Sequence, residues 1–97
     1  MFNFNDQVII VTGGARGMGK GVSTSLSQLG ATVCMLDISE DVEKMAKELS
    51  DSGTNAYAYI CDVGDRLYVK EVFEKIASKH GKIDKLVNVA GISASVD

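Results

Sequence analysis

The sequence predicts a doubly wound α/β fold built on a parallel sheet. Three observations lead there: short β-branched runs alternate with stretches of helical period, glycines punctuate the joins, and the connections are brief. Strands alternating with helices demand right-handed crossovers, which place helices on both faces of a parallel sheet. With 97 residues and 45% apolar side chains, the chain suffices for one small domain with a core of its own.

Residues 7–12 contain the run Val8, Ile9, Ile10, Val11, continuous rather than alternating, as suits a strand covered on both faces. Residues 17–29 place Met18, Val22, Leu26 and Leu29 at helical spacing, and Gly30 supplies a stop. A second buried strand, 31–37, runs through Val33, Cys34, Met35 and Leu36. Ser39 is a candidate N-cap, with Glu40 and Asp41 where a helix dipole favours carboxylates, and the helix that follows buries Val42, Met45, Ala46 and Leu49 before Gly53. Residues 55–61 form a third strand with Tyr57 and Tyr59 on one face, patterned as for a strand near an edge. Asp65 can cap a third helix, whose Val69, Val72, Phe73, Ile76 and Ala77 make one stripe before Gly81 closes it. Residues 83–90 form a fourth strand around Leu86, Val87 and Val89.

Several function classes fall away. Net charge is -3, and Lys and Arg are scattered singly, so no footprint for nucleic acid is present. No apolar run approaches membrane-spanning length, and the first residues lack the order of a signal peptide, so a soluble cytoplasmic protein is expected. Cys34 and Cys61 fall in apolar runs, where a free thiol acts as a small hydrophobe, and with the lone His80 they cannot compose a zinc site. His80 is expected at a solvent-facing helix end, and the pairs Glu40 with Lys44, Glu43 with Lys47 and Glu71 with Lys75 mark solvated helix faces.

The chemistry begins where the first strand meets the first helix, in Thr12, Gly13, Gly14, Ala15, Arg16, Gly17, Met18 and Gly19. Glycines here permit a sharp turn, a close backbone approach to a pyrophosphate and tight packing of helix on strand. Unpaired N–H groups at a helix start then face the phosphates. Asp37 ends the second strand, where an acid can accept hydrogen bonds from the adenosine ribose and repel a 2′-phosphate, favouring NAD over NADP. Asp37 could instead be a turn residue before Ser39, and Arg16 could partner a 2′-phosphate or simply be solvated.

With these residues in place the chain resembles the classical short-chain dehydrogenase/reductase family, across essentially its whole length. The family's glycine motif, Thr-Gly-x-x-x-Gly-x-Gly, is met by Thr12, Gly13, Gly17 and Gly19. Asp62 and Val63 match its element after the third strand, and Asn88, Val89, Ala90 and Gly91 match its Asn-Asn-Ala-Gly element with Val in place of the second Asn. The resemblance implies a Rossmann-type sheet ordered 3-2-1-4. It also implies diphosphate contact by Gly13 and by the backbone at Arg16, Gly17, Met18 and Gly19, and ribose contact by Asp37 beside Ile38. Asp62 and Val63 would hold the adenine, while Asn88, Ala90 and Gly91 would line the path to the nicotinamide ribose. Thr12 would tie strands together.

The same resemblance implies hydride transfer between nicotinamide and an alcohol or ketone, in a homo-oligomer assembled through later helices. The family's catalytic Tyr-x-x-x-Lys is absent, since Tyr57, Tyr59 and Tyr68 are followed at that distance by Cys61, Val63 and Val72. Ser93 and Ser95 come too early to be its catalytic Ser. No catalytic residue is therefore assigned, and the chain is expected to be the cofactor-binding first half of one domain, cut after the fourth strand and inactive alone. The fourth strand should then be an exposed edge, with Leu86, Val87 and Val89 lacking a neighbour. A nucleotide module without catalysis is the alternative. Methyl transfer, which also uses a glycine loop and an acid, is disfavoured by the three-residue glycine gap and by the element at Asn88.

Overall fold

The computed structural model describes residues 3–89. Seven elements alternate: β1 (Val8–Thr12), α1 (Gly17–Gln28), β2 (Thr32–Asp37), α2 (Asp41–Asp51), β3 (Asn55–Ile60), α3 (Arg66–His80) and β4 (Lys85–Asn88). All pairings are parallel, in the order β3-β2-β1-β4, with Ile10 level with Cys34 on one side and Leu86 on the other. The doubly wound sheet and its 3-2-1-4 order are thus as expected.

Successive side chains of a strand point to opposite faces, and the two cores divide accordingly. Ile9, Val11, Val33 and Met35 meet Val42, Met45, Ala46 and Leu49 of α2, with Val22 and Leu26 of α1 packed alongside. Val8, Ile10, Cys34 and Leu36 meet Val72 and Ile76 of α3 on the other side. Each such aliphatic side chain contributes about 1.5 to 3 kcal/mol when fully buried, so the central strands need no polar alternation. Burial pushes the Cys34 thiol up to about 12, only partly opposed by Lys79, which keeps it a core group.

The face of α1 differs from expectation. Its buried residues are Gly19, Ser23 and Ser27, one small side chain per turn, whereas Met18 is 62% exposed and Leu29 lies at the surface. Small residues let α1 sit close to the sheet, and that approach rotates Met18 outward. At α2, Ser39 stands one residue before the N-cap, Glu40, whose backbone is already helical; the Ser39 hydroxyl accepts from the Asp41 N–H at 3.1 Å. Asp65 caps α3 as its position suggested, accepting from the Tyr68 N–H at 3.1 Å, and Gly81 ends that helix in the left-handed region.

His80 is not the solvent-facing residue the sequence suggested. It is half-buried edge-on to the Tyr57 ring, with centroids 4.8 Å apart, while Lys79 lies over the same ring. Burial, and then the nearby Lys79 charge, hold its imidazole below the ordinary value. The three anticipated i, i+4 pairs lie on exposed faces, but the ion pairs among the described residues are Lys47 with Asp51 and Lys82 with Asp84.

The fourth strand is shorter than expected, and among the described residues β1 is its one neighbour. Leu86 is exposed as an edge residue should be, but Val87 is half-buried and Val89 packs into the α1 and α2 core. No helix among the described residues is long and apolar enough to cross a membrane.

Candidate cofactor site

The strands end together at their C-terminal edge, and the loops leaving β1, β2 and β3 wall a cleft of about 580 Å³ there. Ligands of open α/β sheets bind in such crevices, where neighbouring connections diverge to opposite faces. Here the strand order reverses at β1, which stands between β2 and β4, and the loop leaving β1 forms part of the cleft wall.

The loop after β1 divides its backbone amides into two sets. Gly13 and Gly14 donate to the Leu36 carbonyl at 2.7 and 3.2 Å, and Ala15 donates to Asp37 Oδ2 at 3.1 Å, so all three turn back onto the end of β2. The amides that open α1, from Gly17 to Gly19, have no intrahelical acceptor, and the N-cap Arg16 supplies no side-chain cap. Those are the groups an anion would find. Gly13 has φ of 72°, a turn that other residues adopt only under strain. Gly19 lies so close beneath it that a Cβ would overlap the Gly13 carbonyl. No acidic residue occupies the first turn of α1 to compete with a bound anion.

Asp37 is 7% exposed and forms part of the cleft wall. Its Oδ2 holds Ala15, and its Oδ1 accepts from the Ser39 N–H at 2.9 Å. The turn role and the cleft position considered separately in the sequence therefore coexist in one side chain. Beside it Ile38 is 64% exposed and Val63 is 43% exposed, two apolar walls facing solvent from neighbouring loops. Asp62 lines the same wall and braces its loop by accepting from the Gly64 N–H at 2.8 Å. Arg16 and Met18 form the exposed rim.

Gly13, Arg16, Gly17, Met18, Asp37, Ile38, Asp62 and Val63 are thus brought together in one cleft. Gly19 lies under the loop rather than in the wall. Asn88 is not in the wall either; its Oδ1 accepts from the Thr12 hydroxyl at 2.8 Å, which ties β4 to β1. Ala90 and Gly91 lie outside the described residues.

Three lining residues went unassigned: Leu36, Cys61 and Val89. The first two immediately precede Asp37 and Asp62, so adjacency was the available signal. Burial, followed by the charges of Asp62 and Asp65, pushes the Cys61 thiol up, which keeps it protonated and unsuited to nucleophilic work. None of the cleft residues is a Tyr, Lys or His. The described cleft can bind and orient, and its two carboxylates, Asp37 and Asp62, both accept hydrogen bonds from backbone amides of the loops. Among the described residues no cluster of metal ligands occurs.

The family model for short chain dehydrogenases matches residues 7–97. The chain belongs to the short chain dehydrogenase family. Among similar members, a 3-oxoacyl-acyl-carrier-protein reductase of Thermotoga maritima is 42% identical over 88 residues, which are 90% of this chain and 36% of that protein. An NAD-dependent glycerol dehydrogenase of Listeria innocua is 38% identical over 92 residues, 95% of this chain and 35% of that one. A solved citronellol catabolism dehydrogenase of Pseudomonas aeruginosa superposes with a TM-score of 0.84 at 36% identity, covering 88% of this chain and 36% of that structure. The chain therefore spans about a third of the length of these short chain dehydrogenases.

Proposed function

We propose that this chain supplies the dinucleotide-binding half of an oxidoreductase that moves hydride between nicotinamide and an alcohol or ketone, with NAD as its cofactor. The observation that carries the reading is the convergence, in one cleft, of the free amides opening α1 and the Asp37 carboxylate ending β2. The amides from Arg16 to Gly19 would hold the diphosphate, helped by the positive end of the helix dipole. Asp37 would take the adenosine ribose hydroxyls, and its negative charge would disfavour a 2′-phosphate. Ile38 and Val63 would flank the adenine, with Asp62 at its edge.

Toward the nicotinamide, Asn88, fixed by Thr12, would stand with Ala90 and Gly91 along the ribose path. The bound cofactor supplies the hydride acceptor or donor. Proton transfer would come from polypeptide outside these residues, in the remaining part of a single Rossmann domain working as a cytoplasmic homo-oligomer. The NAD dependence of the Listeria relative supports the cofactor choice.

Calorimetric titration and thermal unfolding of the chain with NAD, NADP and S-adenosylmethionine test the proposal. NAD should bind and, at a hundred times its dissociation constant, stabilise by about 2.7 kcal/mol. NADP should bind more weakly, and no turnover should accompany either. Stabilisation by S-adenosylmethionine alone, or by none of the three, overturns it.

A further inference from the structure

Both carboxylate oxygens of Asp37 hold backbone amides of the chain itself, one 22 residues upstream at Ala15 and one two residues downstream at Ser39. Ribose recognition alone would require neither bond. The geometry points to Asp37 as the positioning residue that clamps the diphosphate loop to the end of β2, so that loop shape and ribose recognition depend on one carboxylate.

The neighbouring anchors locate the dependence. Gly13 and Gly14 donate to the Leu36 carbonyl, an acceptor that any residue at that position would provide. The Ala15 amide instead relies on a side chain, and the bond is buried and charge-assisted, roughly twice as strong as a neutral one. An ionised carboxylate offers about four lone-pair sites. The two amides leave capacity for the ribose hydroxyls, so clamp and ligand do not compete. A carboxamide at the same place can accept from only one of the two amides, because its NH₂ would face the other donor. Replacing Asp37 to admit a 2′-phosphate should therefore release the loop and weaken both dinucleotides rather than exchange one for the other. That consequence rests on the proposed nucleotide site; the clamp does not.

Amide hydrogen exchange followed by nuclear magnetic resonance decides the clamp. In Asp37→Ala, which offers neither amide an acceptor, the Ala15 amide should exchange roughly tenfold faster or more, while Ile10 and Val33 in the sheet keep their wild-type rates. An unchanged Ala15 rate overturns the clamp. Should the variant unfold, so that all amides speed up together, the wild-type chain decides instead. There a scalar coupling across the hydrogen bond must connect the Ala15 amide nitrogen with the Asp37 carboxylate carbon, and absence of that coupling overturns the assignment.

Inorganic pyrophosphate, which has no ribose, then probes loop shape. Removing a negative charge beside the cleft should by itself favour an anion, so binding several-fold weaker in a folded Asp37→Ala supports the clamp, and equal or tighter binding overturns the link to the loop. Failure of the wild-type chain to bind both NAD and pyrophosphate would remove the nucleotide reading, with Ala15 exchange still deciding the clamp.

Discussion

Gly19 and Gly21 stand two residues apart in α1 and have opposite surroundings. A Cβ at Gly19 would overlap the carbonyl of Gly13, whereas one at Gly21 meets nothing within 4 Å. Gly19→Ala must push helix from loop, and overpacking of this kind costs about 2 to 3 kcal/mol; nucleotide affinity should fall with it, since the same loop presents the amides. Gly21→Ala relieves the backbone entropy of an exposed helical glycine and should gain roughly 0.5 to 1 kcal/mol. Urea denaturation of the two variants checks both signs, and a shared sign would remove the close-approach role of Gly19. The glycine motif was legible as residue types at fixed spacing, and so were Asp37 and Asp62. Their division of labour was not. That Gly13 makes the turn while Gly19 packs under it, and that Ala15 donates to Asp37, are contacts through space between positions the motif treats as equivalent or leaves free.

Among the elements, strands were legible because runs such as Val8 to Val11 suit little else, and α2 and α3 because their stripes are apolar. The face of α1 was not, because Gly19, Ser23 and Ser27 give no hydropathy signal although they are what the sheet accepts. The short β4 is held partly by a side chain that hydropathy also passes over. Asp84 accepts from the Val8 N–H at 2.8 Å and pairs with Lys82, while its own amide donates to the Val8 carbonyl. The Val8 hydrogen bond, more than Lys82, holds its carboxyl below the ordinary carboxylate range. A group whose folded value is lowered contributes stability above its unfolded value and loses it as pH falls through the folded one. The advantage of wild type over Asp84→Asn should accordingly be full at neutral pH and vanish on acidification from the ordinary carboxylate range down through the lowered value. Denaturation of both proteins across that range is the measurement, and a difference that grows toward acid would contradict the role given to Asp84.

At the scale of the molecule, the order of the elements and the parallel sheet were legible because alternation leaves few topologies, but the uneven covering of the sheet was not. Helices α1 and α2 lie on one face, and α3 is the one described helix on the other, over Ile10, Cys34 and Leu36 but not over Leu86. Ile10 and Leu86 are register partners on adjacent strands, the first fully buried and the second 52% exposed. Similar side chains in one row should thus respond oppositely to substitution. Ile10→Ala removes packing between β1 and α3 at a cost of about 2 to 5 kcal/mol, a large share of the roughly 5 to 15 kcal/mol that stabilises a chain of this length. Leu86→Lys should change stability by no more than about 0.5 kcal/mol and, by placing a charge on an edge strand, reduce self-association at high concentration. Denaturation and sedimentation velocity on the two variants separate these effects. A Leu86→Lys protein as destabilised as Ile10→Ala would mean that the face beneath β4 is covered after all.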